Sequence, residues 1–337
     1  MQRKKVFRFL QIIVTTVLLV HVFHKAGLLT FNGWLELVKT FSNANLRLIV
    51  ISIAFIPLMD LASSFKWYCL SRSFNFSVSL WRLYAYYIVG RFFNLVLPSS
   101  IGGDVIRAHE LGKFTGRHAD SAAIVFVDRF SGLAVLVFLA VVALGVNTRI
   151  FGILWFAFSL SLGSIGIAFI LWIVIDDRPY NLFRKSAWKK NPLTFSILEK
   201  IGRLRKAILV FQGKPSVLWI AALNSLFFYL LATLNIWIST LAFDMTVELS
   251  TMFVAVPVIM FVMNLPFSIG GIGLTEFAYS FIFSLFGIAP SVVLSTILLM
   301  RIKTLLAAGV GGCIYPLVSD GMDLPKEISR ETEKLNR

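Results

Sequence analysis

Nine ionisable residues lie inside or beside stretches that are otherwise apolar: Asp60, Arg91, Asp104, Arg107, Asp128, Arg129, Glu276, Arg301 and Lys303. A charge at membrane depth is costly unless it is paired or faces a wet cavity, so such residues mark ion pairs or the path of a charged ligand. Arg301 sits about ten residues into an apolar run, roughly 15 Å at helical rise, too deep for easy snorkelling to an interface. It needs an acid or an anionic ligand. Glu276 is its natural partner, while Asp104 or Asp128 could neutralise Arg91, Arg107 or Arg129. Basic residues outnumber acids in this set, which favours a cavity that accepts an anion.

Other chemistry is thinly represented. His21, His24, His109 and His118 are scattered without metal-type spacing, and Cys69 and Cys313 are too few for a disulfide framework or a thiolate metal site. No nucleophile and base pair stands out, so neither a catalytic role, a metal nor a cofactor is expected. Gly309-Val310-Gly311-Gly312 follows no strand and reads as helix packing, not as a nucleotide loop.

The charges flank a repeated turn signature. Leu97-Pro98-Ser99-Ser100-Ile101-Gly102-Gly103 and Leu265-Pro266-Phe267-Ser268-Ile269-Gly270-Gly271 share six of seven residues, and Gly273 follows the second copy. Proline removes a backbone donor and glycine admits positive φ, so neither copy continues a helix. In a dry medium the freed backbone groups must be buried in protein or line a wet cavity. Each copy is expected to be a re-entrant hairpin whose returning helix begins just after Gly-Gly, with its positive dipole end at the turn. The plainer reading is that paired glycines let helices pack closely. Aligned by letters, Arg107 faces Thr275 and Ala108 faces Glu276, which predicts a symmetric frame with different charges in its halves.

The elements that would hold these residues are membrane spans. Apolar residues make up 58% of the 337-residue chain and charged ones 15%. They fall in blocks near 6–23, 46–65, 83–101, 121–146, 152–175, 217–243, 250–288 and 291–318, about the length that spans a bilayer core. The net charge of +15 lies between the blocks, so nucleic acid is not needed to explain it. Asp176 to Ser216 carries ten Lys or Arg against three acids, a cytoplasmic composition.

Residues Gln2 to Val22 read as an uncleaved first span. Lys66, Arg72 and Arg82, with Trp81, Tyr84, Tyr86 and Tyr87 as an aromatic belt, then mark the return to the cytoplasm. The charges Arg107, Lys113, Arg117 and His118 after the first Pro/Gly turn are again cytoplasmic in type, so a full crossing there fails and a hairpin fits. The second hairpin then enters from outside, after the acidic loop with Asp244 and Glu248.

The predicted fold is all-α: a polytopic transmembrane helix bundle of about six full spans plus two re-entrant hairpins in an inverted repeat. It forms one domain over 1–320, with repeats around 80–146 and 250–318, a cytoplasmic loop at 176–216 and a charged cytoplasmic tail at 321–337. In that loop Phe195, Leu198, Ile201, Ile208 and Phe211 recur at helical spacing, with Lys200, Arg203, Arg205 and Lys206 between them. This is the pattern of an amphipathic helix lying on anionic headgroups.

Four stretches, in order along most of the chain, resemble the transmembrane region of lysylphosphatidylglycerol synthetases, which also occurs alone as a flippase-like family. They are Pro98 to Arg107 with Gly-Gly-Asp-x-x-Arg, Asp128-Arg129-Phe130-Ser131-Gly132-Leu133, Pro266 to Glu276 with Gly-Gly-x-Gly-x-x-Glu, and Arg301 with the glycines after it. The charge pattern predicts a multi-pass protein of the cytoplasmic membrane with both termini inside, and the resemblance implies re-entrant helices and roles for Asp104, Arg107, Asp128, Arg129, Glu276 and Arg301. It implies no lipid synthesis, since no aminoacyl-transferase sequence is present. The expected activity is translocation of an anionic phospholipid or lipid-linked headgroup between leaflets, with those six residues at the headgroup. The alternative is a non-transporting scaffold or accessory subunit for an envelope-biosynthesis enzyme, with the basic loop as docking surface. A homo-oligomer is compatible with either, and the fold alone does not name the cargo.

Overall fold

A computed structural model of the chain describes residues 31–96, 102–146, 202–243, 247–264 and 272–318, with isolated positions at 165, 166, 172, 176 and 178. Among the described residues the regular elements are all helices. The main ones are α1 (Phe31–Ser42), α2 (Leu46–Arg72), α3 (Leu80–Val96), α4 (Gly102–Thr115), α5 (His118–Val146), α6 (Pro215–Leu241), α7 (Leu249–Met263), α8 (Leu274–Leu285) and α9 (Pro290–Val318). Their starts follow from local chemistry. The Asn45 side chain accepts from the amides of Arg47 and Leu48 to cap α2, and α6 opens on Pro215, whose missing amide costs nothing there.

Among the described residues four helices, α2, α5, α6 and α9, are long and apolar enough to cross a membrane. The predicted crossings near 6–23 and 152–175 lie outside the described residues, as do the acidic loop's Asp244, most of the basic loop and the charged tail.

Both Pro/Gly sequences coincide with a helix break: α3 gives way to α4 across the first and α7 to α8 across the second. Pro98, Pro266, Gly270 and Gly271 lie outside the described residues. The returning helices do not both begin after Gly-Gly. In the first copy Gly102 and Gly103 are themselves the first two residues of α4. Gly103 is there because a side chain would not fit: a Cβ would lie 2.0 Å from the Gly90 carbonyl oxygen of α3. Its amide donates to Asn94 Oδ1 at 2.7 Å, which ties the two limbs together. In the second copy the break runs on to Gly273, whose φ of 79° suits glycine, and α8 starts at Leu274. One copy uses glycine for close approach and the other for backbone conformation.

The helices pack in a pattern that maps onto itself when α2, α3, α4 and α5 are exchanged for α6, α7, α8 and α9. The limbs of each break pack together, α3 on α4 and α7 on α8, and each second limb packs on the long helix that follows it, α4 on α5 and α8 on α9. Across the halves α3 packs on α9 and α7 on α5, while α2 lies along α6. Lengths agree too: α2 and α6 have 27 residues each, α5 and α9 have 29 each. The packing of α1 on α9 has no counterpart among the described residues.

Two large buried apolar clusters hold the bundle. One gathers Phe243, Met252 and Ile288, with Phe41, Leu249, Leu285 and Phe286 packed against it, and so contains the open end of the α7 and α8 pair. The other gathers Phe74, Val78, Leu111 and Phe211, with Val217 and Val318 packed against it, and contains the open end of the α3 and α4 pair.

Two sequence expectations change here. Lys66 is not an interfacial loop residue, because α2 continues to Arg72 and carries it as a buried member of the bundle. The described part of the amphipathic stretch, helical over 202–209, packs its apolar side on protein: Leu204, Ala207 and Ile208 join the second cluster, and the Phe211 ring lies 5.4 Å from that of Phe74. Phe195, Leu198, Lys200 and Ile201 lie outside the described residues.

Candidate functional site

Asp104 is the third residue of α4, where an acid suits the positive end of the helix. One turn on, Arg107 donates from Nη2 to Asp104 Oδ1 at 2.5 Å. Arg129, on α5, grips the same carboxylate with two nitrogens, Nε at 2.6 Å from Oδ2 and Nη2 at 2.8 Å from Oδ1. The neighbouring Asp128 turns inward and receives Lys66 from α2 at 2.9 Å. The same ammonium donates to the Asp128 carbonyl oxygen at 2.9 Å and to Ser225 Oγ of α6 at 3.1 Å. Arg107 stands between the two acids, with its Nη2 also 3.5 Å from Asp128 Oδ2.

Lys66, Asp104, Arg107 and Asp128 are buried, whereas the Arg129 side chain is 53% exposed. Three cations and two acids leave one uncompensated positive charge. Removing one partner from such a buried set costs far more than an exposed ion pair contributes.

The Arg107 guanidinium is placed by aromatic rings as well as acids, 4.8 Å from the Tyr87 ring centre and 5.3 Å from that of Trp67. Its Nη1 is buried and has no hydrogen-bond partner among the described residues. A cavity of about 90 Å³ opens beside it, lined by Lys66, Arg107, Asp128, Arg129, Asn224 and Asn264 among others. Asn224 Oδ1 is likewise buried without a partner among the described residues. At roughly 30 Å³ per water the space suits a few waters or the phosphate of a headgroup, not a whole lipid. Asn264 ends α7, so the start of the second break reaches the cavity whose charges come from the first.

Glu276 and Arg301 form a separate set and do not line this cavity. Arg301 donates from Nε to Glu276 Oε1 at 2.9 Å, and its Nη2 lies 2.9 Å from the same oxygen. The other carboxylate oxygen accepts from the Gly273 amide at 2.7 Å, so Glu276 caps its helix while holding the arginine.

This pair repeats the first. Glu276 is the third residue of α8 as Asp104 is of α4, Arg301 is the twelfth of α9 as Arg129 is of α5, and 25 residues separate the partners in both. The letter alignment, which set Glu276 against Ala108, is corrected in register, while the expected difference in charge between the halves remains, since Arg107 now falls opposite Tyr279 and Asp128 opposite Met300. The longer second break, extended through Gly273, shifts the register, and the acid and arginine pair recurs.

A further lysine follows the same logic. Lys66 joins α2 to α5, and buried Lys303 joins α9 to α6, the exchanged pair of helices. Lys303 donates to Asn235 Oδ1 and to Ser239 Oγ, both at 2.7 Å, and pairs with no carboxylate among the described residues. Asp60 forms an ion pair with Arg91.

Sequence reasoning gathered Asp104, Arg107, Asp128 and Arg129 correctly as neighbours but missed Lys66, Trp67, Tyr87, Asn224 and Asn264. Tyr87 had been placed in an interfacial belt. A signal for Lys66 was present: Asp60, Ser63, Ser64 and Lys66 fall within two turns of one apolar helix, which marks a polar interior face. His109 and His118, apart in sequence, have ring centres 5.8 Å apart, but among the described residues no three potential metal ligands gather.

Comparisons with curated proteins and with solved structures gave no match. The family model of the lysylphosphatidylglycerol synthase transmembrane region matches residues 9–312, and the chain belongs to that family.

Proposed function

We propose that the protein is a lipid translocase, moving an anionic phospholipid or lipid-linked headgroup between the leaflets of the cytoplasmic membrane. The observation that carries this reading is the buried Arg107 Nη1, unpartnered among the described residues, beside a cavity lined by Lys66, Arg107, Asp128 and Arg129, which together with Asp104 sum to one positive charge. An unmade hydrogen bond on a buried donor costs about 1–3 kcal/mol, so the site is poised for an acceptor. A phosphodiester supplies acceptor oxygens and a single negative charge. Arg129, reachable from outside, exchanges Asp104 for phosphate, while Asp104 keeps Arg107; no charge is left bare at any stage.

The fold supports passage from one side to the other. The two broken helix pairs open into different apolar clusters, and we read the exchange of α2 to α5 for α6 to α9 as an inverted repeat. In such repeats broken helices meet near the midplane and hold the substrate there.

The test is translocation in proteoliposomes, read by dithionite quenching of fluorescent phosphatidylglycerol. Wild-type protein is expected to move lipid across the bilayer, and Arg129→Gln, at a half-exposed position, to lose most of that rate while remaining folded and monodisperse. Wild-type rates no faster than protein-free vesicles, or an Arg129→Gln rate equal to wild type, overturn the proposal.

A further inference from the structure

A second opening, a groove of about 460 Å³, lies at the end of the bundle where the α2–α3 connection, the start of α5 and the 202–209 helix meet. None of its residues belongs to the charge set described above. We propose that this groove is a binding site for a phosphate monoester.

Its basic residues are differently prepared. Arg117 is fixed: its Nε lies 2.6 Å from Asp120 Oδ2, its Nη1 donates to the Phe74 carbonyl oxygen at 3.0 Å, and its guanidinium rests 5.0 Å from the Phe76 ring centre. Arg203 and Lys206 also line the groove, one turn apart on the helix whose apolar side is taken up by protein. They are exposed, and no hydrogen bond or ion pair holds them among the described residues. One cation is placed and two are free to close.

Neutral groups point the same way. Ser73 lines the groove, is only 5% exposed, and its Oγ is buried with no hydrogen-bond partner among the described residues. Its carbonyl is occupied by Lys214 Nζ at 2.5 Å, which fixes the turn that also carries Asn75 at φ 58°. The first turn of α5 lines the groove through Ala119 and Asp120, and the amides at the start of a 29-residue helix lack partners within it and favour an anion. A phosphate oxygen would satisfy Ser73 and those amides together.

Charge selects the class. Arg117, Arg203 and Lys206 against Asp120 leave two positive charges, which matches a monoester, with about −1.5 to −2 charges at neutral pH, better than a diester with one. The monoester could belong to a lipid such as phosphatidic acid or to a soluble phosphorylated compound.

The experiment uses the full chain in detergent micelles, titrated separately with glycerol 3-phosphate, with short-chain phosphatidic acid and with short-chain phosphatidylglycerol. A monoester is expected to bind about tenfold or more tightly than the diester, and R203Q/K206Q to remove that preference. S73A is expected to weaken monoester binding severalfold. Binding of phosphatidic acid alone assigns the lipid source, and binding of glycerol 3-phosphate as well assigns the phosphate group itself. Equal affinity for diester and monoester, or an unchanged preference in R203Q/K206Q, overturns the proposal. Arg203 and Lys206 are exposed, with no hydrogen bond or ion pair among the described residues, and the result is independent of whether the protein moves lipid.

Discussion

Arg129 and Arg301 stand at the same position of two 29-residue helices, and each reaches back 25 residues to an acid in the first turn of the preceding short helix. The two ends of each link are a returning helix and the long helix after it, so the pair fixes how each broken segment docks. The surroundings differ. Arg129 shares Asp104 with Arg107 beside a cavity, whereas Glu276 divides its carboxylate between Arg301 and the amide of Gly273.

Double-mutant cycles on Asp104 with Arg129 and on Glu276 with Arg301 should both show favourable coupling of about 1–3 kcal/mol, measured by unfolding in detergent. The Glu276→Gln change should cost less than Glu276→Ala, because glutamine retains an oxygen to accept from Gly273. Equal costs for the two would mean the cap contributes nothing.

Lys66 has three acceptors, two of them on Asp128, in a buried setting. Lys66→Met should destabilise the protein by about 3–5 kcal/mol because it leaves Asp128 with only the longer contact to Arg107. The Lys66→Met/Asp128→Leu double variant should be more stable than Lys66→Met alone. Thermal unfolding midpoints decide it, and a double variant less stable than the single would show that Asp128 is held by something other than the ion pair.

Much of the fold was legible because membrane chemistry is severe: apolar runs, proline, glycine and basic loops left few arrangements for the blocks at 46–65, 121–146, 217–243 and 291–318. The acids and arginines were legible as a class for the same reason. Their partners were less so. The repeat in letters placed Glu276 four residues away from its counterpart, since identical turn residues did not reveal that the second break runs on to Gly273. Lys66 and Tyr87 were misplaced because the charge and aromatic patterns of a helix end resemble those of a buried polar face until the helix end is known.

The glycines separate by what they touch. A Cβ on Gly311 would lie 2.3 Å from the Ile88 carbonyl oxygen, where α9 meets α3, whereas one on Gly309 meets nothing within 4 Å. Gly311→Ala and Gly103→Ala should therefore lower the yield of folded protein sharply, while Gly309→Ala should leave it unchanged. Size-exclusion profiles of the three variants check this, and a monodisperse Gly103→Ala protein would show that α3 and α4 are not in close contact.

Opposed hairpins make the firmest demand on topology. If the α3 and α4 pair opens to the cytoplasm and the α7 and α8 pair to the other side, a cysteine replacing Asn75, near the first opening, must be labelled from the side opposite to one replacing Glu248, near the second. Asn75 sits in the turn between α2 and α3, and Glu248 is the residue before α7, so neither substitution disturbs a long helix. Cys69 and Cys313 are replaced by serine first, to remove background labelling. An impermeant maleimide applied to intact cells should modify the cysteine at 248 and spare the one at 75, with the order reversed in inverted vesicles. Labelling of both from one side would place the two breaks on the same face. The exchange of helices would then be an ordinary parallel duplication, and the path from one leaflet to the other would lose its structural basis.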